Sequence, residues 1–269
     1  MIKVLSFLNI LLILSSCKGQ TVDTIPEHET FKIDSKEVGE LRTINVWLPE
    51  DYKTSDLPYP VLYMPDGGVQ EDFPHIANTL SELIQAKKVP PFILVGIENT
   101  QRRKDLTPPT QVEKDKEIAP VVGGSHEFRN FIENELMPYI NSNYRTTDEK
   151  GIIGESLAGL FVTETLMVQP DLFDFYIAFD PSLWWNDKYL LKNSGKILTE
   201  FTSEPKRFWF AGSGAKDISK SINNLAKEFE KNAPKNLIWN FSDEPKEKHN
   251  TIFRATKEKA MVWALNKLN

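Results

Sequence analysis

The sequence has one cysteine, Cys17, among 269 residues. No internal disulfide can therefore form, and paired-cysteine metal sites are excluded. Histidine is almost as scarce: His28, His75, His126 and His249 are the full set. No two of them are spaced as His-x-x-x-His, and the acidic clusters lack regular ligand spacing, so no metal is expected. Positive charge is not in excess either. A formal net charge of −6 argues against nucleic acid as a partner, which usually requires a basic face. There is no Walker loop and no Gly-x-Gly-x-x-Gly fingerprint, and no cofactor is expected. Internal repeats and low-complexity tracts are missing too, which removes solenoid and fibrous folds.

Long hydrophobic runs are also rare, and the conspicuous one lies at the start. "MIKVLSFLNILLILSSC" places Lys3 before an apolar stretch from Val4 to Leu14, followed by small residues. It is too short and wrongly flanked for a spanning helix and reads as an export signal over residues 1–16. Leu14-Ser15-Ser16-Cys17 resembles a bacterial lipobox, in which Cys17 becomes the lipidated N-terminus. Residues 17–29 then form a lipidated cysteine and polar linker, and residues 30–269 one catalytic-sized domain. The expected location is that of an exported bacterial lipoprotein, touching the membrane only through its lipid anchor.

What is present is a regular alternation. Strand-like runs occur at "ETFKID", "RTINVWLP", "YPVLYMPDGG", "PFILVGIEN", "GIIGE", "FDFYIAFD", "KRFWFAG" and "NLIWNFS". From the third run onward, helical patterns of 10–16 residues separate most of them. A long polar excursion follows "PFILVGIEN", after which Ser125 is placed to cap a helix carrying Phe128, Phe131, Ile132, Leu136, Tyr139 and Ile140 on one face. Strands alternating with helices imply right-handed crossovers, hence an α/β fold with a mostly parallel sheet of about eight strands and helices on both faces.

In open α/β sheets reactive groups gather at the carboxyl ends of strands. Ser156 lies there, in Gly154-Glu155-Ser156-Leu157-Ala158, between a β-branched strand and an amphipathic helix. Small residues two positions either side let a sharp turn lift a serine hydroxyl clear of the sheet. A nucleophilic serine needs a base, and only His249 follows Ser156 in the chain. For the acid that orients the imidazole, Asp217 is the expected residue, because it follows the penultimate strand; Asp180 and Glu247 are the competitors. The developing oxyanion needs two backbone N–H donors, expected from Leu157 and from the Gly67–Val69 stretch, with Gly68 and Val69 as candidates.

These blocks together resemble a known family. "INVWLPEDY", "PVLYMPDGG", "FILVGIENTQRRKDLTPP", "FRNFIENELMPYINSNYRT", "IIGESLAGLF", "PSLWWND" and "EKHNTIF" are similar to the esterase branch of the α/β-hydrolases, which includes enterochelin and bacillibactin esterases, esterase D and feruloyl esterases. The similarity spans roughly residues 30 to 267. It implies an α/β-hydrolase fold, with Ser156 as nucleophile and His249 as base. Two departures stand out: alanine at 158, where glycine is usual, and Glu155, where histidine more often precedes the serine.

For the substrate, a small-molecule ester, Trp184 and Trp185 are candidate walls for a planar acyl or catecholate group. Arg102 and Arg103 are candidate forks for an anionic group. The expected function is a serine carboxylic ester hydrolase working through an acyl-enzyme, on siderophore-type or aromatic esters. Feruloyl or acetyl polysaccharide esterase, acyltransferase and non-catalytic ligand-binding lipoprotein remain as alternatives.

Overall fold

The computed structural model describes residues 23–201 and 203–266; the expected signal and Cys17 lie outside the described residues. Eight strands form one sheet: β1 (Glu29–Ser35), β2 (Glu40–Trp47), β3 (Tyr59–Pro65), β4 (Ile93–Ile97), β5 (Thr146–Glu155), β6 (Phe175–Phe179), β7 (Lys206–Ser213) and β8 (Leu237–Glu244). Their spatial order is β1-β2-β4-β3-β5-β6-β7-β8. β2 runs antiparallel to both β1 and β4, and all later neighbours are parallel. This is the expected α/β-hydrolase architecture.

The central strands are apolar on both sides, so both faces must be covered. Along β6, Tyr176 and Ala178 enter one core while Phe175, Ile177 and Phe179 enter the other; β7 divides Phe208 and Phe210 from Trp209 and Ala211 in the same way. Each such fully buried large apolar side chain stabilises the fold by about 1.5–3 kcal/mol. One face is covered by α1 (Phe73–Gln85) and α9 (Ile252–Leu265). The other carries α4 (Ser125–Phe131), which passes through a wider turn into α5 (Met137–Asn143), then α6 (Leu157–Val168), α7 (Trp185–Thr199) and α8 (Ser219–Asn232). The excursion after β4 holds only two short turns, α2 (Arg102–Asp105) and α3 (Glu113–Lys116). α6 is wrapped almost completely, and only Val168 at its end reaches solvent. That burial makes it a rigid base for whatever stands at its N-terminus.

Two expectations change. Ser125 does not cap α4: it is the first helical residue, and its buried Oγ has no partner. Its backbone N–H instead donates to the Thr107 carbonyl, pinning the helix start to the long excursion. The linker is also shorter than its polar composition implies. From Asp23 the chain lies along the body: Asp23 forms a fork with Arg254 (3.0 and 2.5 Å), Thr24 O accepts from Asn78, Glu27 pairs with Lys53, and the His28 ring packs edge-on to Phe73.

Candidate active site

β5 delivers its last residue, Glu155, to the top of the sheet, and the backbone then reverses into α6 through Ser156 at φ 61°, ψ −115°. A serine in this region is strained by about 1–3 kcal/mol, and the surroundings enforce it. Ser156 N–H donates to Phe179 O (2.9 Å), while Ser156 O accepts from Leu160 N (2.8 Å) and Ser182 N (3.0 Å). Glycine is required at 154 because a Cβ there would lie 2.7 Å from the Ala158 methyl. Alanine at 158 is therefore tolerated, but only opposite a glycine.

The turn aims Ser156 Oγ at the loop between β8 and α9, where His249 Nε2 lies 3.1 Å away. The other ring nitrogen, Nδ1, lies 3.0 Å from Asp180 Oδ2. An ionised carboxylate only accepts, so Nδ1 carries the proton and Nε2 is left to accept from the serine hydroxyl. Asp180 follows β6 with φ 41° and is fully buried; Ser213 supplies it with a backbone N–H (2.7 Å) and a hydroxyl (2.6 Å). Three donors thus hold the carboxylate in place. The hydrogen bond that His249 donates to Asp180 raises its proton affinity above that of an ordinary histidine, against the opposing effect of burial.

Asp217, the expected acid, is not brought to the imidazole. It sits exposed in the turn after β7 and reaches His249 only as a distant charge. β7 does end near the site, but there it contributes Ser213, which braces Asp180. Glu247 is also occupied elsewhere: it accepts from the Thr251 hydroxyl (2.6 Å) at the start of α9.

At the head of α6, Leu157 N–H precedes the first intrahelical acceptor, and no acceptor is recorded for it among the described residues. The helix dipole adds positive potential at this end. Across from it, the stretch after β3 departs from expectation in part. Gly68 N–H donates to Glu71 Oε2 (2.7 Å) and is not available to a substrate, whereas Val69 N–H has no acceptor among the described residues. The glycines serve packing: a Cβ on Gly67 would fall 2.3 Å from Gly96 Cα.

Arg102 forks onto Asp66 through Nε (2.5 Å) and a terminal nitrogen (2.7 Å), and Asn99 donates to both Asp66 and Glu71. Burial pushes the Glu71 carboxyl upward, with these donors pulling the other way. Arg102 is thus at the mouth with its charge already matched. Arg103 donates to the Ile118 carbonyl and fastens the excursion to itself. Trp185 is buried and its indole N–H donates to Pro108 O (2.8 Å), so it clamps the excursion rather than walling a substrate; Trp184, at 5.8 Å, is half-buried beside it. Next to α2 opens a cleft of about 490 Å³ lined by Gln101, Arg102, Arg103, Lys104 and Ala119–Val121. Ser213, Asn99 and Glu71 carry no motif in the sequence; Ser213 ends β7, Asn99 lies two residues past β4 and Glu71 six past β3, and closeness to a strand's carboxyl end is the one signal available for them.

The family model described as "Putative esterase" matches residues 35–263. Among curated proteins, the chain is 31% identical over 230 residues to the ferri-bacillibactin esterase BesA of Bacillus subtilis, covering 76% of each chain. It is 32% identical over 187 residues to the siderophore triacetylfusarinine C esterase of Aspergillus fumigatus, covering 62% of this chain and 60% of that one. Among solved structures, an IroE-like serine hydrolase from Shewanella oneidensis superposes with a TM-score of 0.82 at 28% identity, over 88% of this chain and 79% of that chain. With a match across nearly the whole described body, the chain belongs to the Putative esterase family of carboxylic ester hydrolases.

Proposed function

We propose that this protein hydrolyses siderophore-type or related aromatic carboxylic esters through an acyl-enzyme on Ser156, with His249 as base and Asp180 as the acid that orients it. The observation that carries the reading is the unbroken relay from Ser156 Oγ through both nitrogens of His249 to Asp180. In the first half-reaction Oγ attacks the ester carbonyl and its proton passes to Nε2. The carbonyl oxygen becomes an oxyanion, for which the N–H groups of Leu157 and Val69 are the available donors. Collapse breaks the ester C–O bond, and the leaving alcohol takes the proton from Nε2. Water then repeats the sequence against the acyl-serine and releases the acid. One oxyanion donor is typically worth about 10²–10³ in turnover.

Two observations support the substrate class: Arg103 and Lys104 line the cleft at α2 beside the ion-paired Arg102, and relatives named as siderophore esterases match over most of the body. A panel of siderophore lactones, feruloyl sugars and p-nitrophenyl esters, assayed with the wild type and Ser156→Ala, tests the proposal. Turnover of a lactone abolished by the substitution is the expected result; a panel in which no ester is cleaved overturns it. The N-terminal sequence supports an exported, lipid-anchored location. Cys17→Ala should then release the protein from the membrane fraction.

A further inference from the structure

Beside the Ser156–His249 pair stands a carboxyl that no other side chain holds. Glu155 ends β5, in register with Phe179 on β6, directly before the turn that carries Ser156. Its Oε1 is sealed from solvent and has no hydrogen-bond partner. The neighbouring acids Asp66, Glu71, Asp72 and Asp180 are matched: Asp66 by Arg102 and Asn99, Glu71 by Gly68 N–H and Asn99, Asp72 by His75, Asp180 by Ser213 and His249. The charged groups facing Glu155 are His249 before α9, Asp72 at the head of α1, Asp180 after β6, Asp66 after β3, Arg102 of α2 and Arg254 of α9.

A carboxyl enclosed among acids and lacking donors keeps its proton. Burial pushes Glu155 up to about 8, with the His249 charge pulling in the opposite direction. The influence is mutual, since a charged Glu155 raises the proton affinity of His249.

We propose that Glu155, the unpartnered carboxyl directly before the Ser156 turn, is a positioning residue for the proton on His249. The inference rests on His249 being the base of the proposed esterase. While Glu155 keeps its proton, Asp180 alone stabilises the imidazolium, and Nε2 gives its proton readily to the leaving alcohol. Once Glu155 ionises, two carboxylates hold the imidazolium, and His249 releases its proton at higher pH. Two groups coupled in this way titrate as a pair, in two steps that belong to neither alone.

The test follows the His249 imidazole by NMR from pH 4 to 10 in the wild type, Glu155→Gln and Glu155→Asp, with His28 and His126 as internal references. In the wild type the His249 curve should be broader than a single-proton titration, with a second inflection as Glu155 ionises. Glu155→Gln should collapse it to one step with a midpoint lower by about half a pH unit, and the acid limb of kcat/KM on a neutral ester should move with it. Glu155→Asp should keep two steps. A single-step His249 curve in the wild type, or superimposable curves for wild type and Glu155→Gln, would overturn the proposal. Should the glutamine variant fail to fold, the wild-type curve decides by itself. Because the titration needs no substrate, a protein that cleaves no tested ester would sink the esterase reading while leaving this one to be judged separately.

Discussion

On the β5–β6–β8 side of the mouth, Ser156, His249 and Asp180 form a chain whose far end, the serine oxygen, is left for a substrate. On the β3–β4–α2 side, Asp66, Glu71, Asn99, Arg102 and Gly68 N–H close on one another. The first arrangement holds the serine turn and the open Leu157 N–H; the second ends in matched charges and contributes only a backbone donor, Val69 N–H, to the site. The comparison teaches that one half of the mouth is built for reaction and the other for rigidity. Damage to the first should appear in turnover and damage to the second in stability.

The largest expected effect tests that division directly. Ser156→Ala or His249→Ala should lower kcat by about 10⁶ when the residues act as a unit, with the melting temperature of Ser156→Ala little changed, since alanine keeps the Cβ and the same backbone turn. Asp180→Asn should cost about 10⁴. Because the Asp180 bond raises His249 above its ordinary 6.5, wild-type kcat/KM should fall as pH drops through a value above 6.5, and residual activity of the asparagine variant should fall at lower pH. A variant with the wild-type acid limb would break the assignment of Asp180.

On the closed side, Asp105 anchors α2 through a buried pair with Arg42, 1% and 2% exposed. Asp105→Ala leaves the buried Arg42 guanidinium with Glu40 alone (2.8 Å) and should cost about 1.5–3 kcal/mol in urea unfolding, with the remaining folded protein still active. A smaller effect concerns Glu155, whose folded-state proton affinity is raised. A buried acid of this kind favours folding below its ordinary 4.5 and loses that advantage as pH rises toward about 8. The stability of Glu155→Gln relative to wild type should therefore climb between pH 4.5 and 8 and then level off. Smallest of all, Asp217→Asn should change kcat/KM by about twofold or less, as befits an exposed charge screened by salt.

Much of this was legible in the sequence. All eight strands announce themselves as β-branched or aromatic runs, and α6 begins at Leu157 where the serine motif requires. His249 followed by elimination, since no other histidine lies beyond Ser156. The partner of the imidazole was not legible, because Asp180 and Asp217 both follow strands and precede helices; which one meets the ring depends on how the β8–α9 loop folds back over β6. Gly68 and Trp185 were misread for a related reason. A glycine near a strand end, or a tryptophan beside one, signals closeness to the mouth but not whether its N–H is already taken, by Glu71 in one case and Pro108 in the other. The left-handed run Asn186–Asp187–Lys188 at the head of α7 was invisible too. It exists because Asn186 must turn to receive Gln111 N–H and meet Asp115, residues some 70 positions earlier.

The Asp23–Arg254 fork joins residues 231 positions apart, and Arg254 also senses the charge of Glu155. A recombinant version trimmed to begin at the first strand would look complete, with every reacting group in place. Yet it would strip the counter-ion from a guanidinium that faces Glu155 and alter the local potential. Where the gene is cut is therefore a chemical decision as well as a practical one.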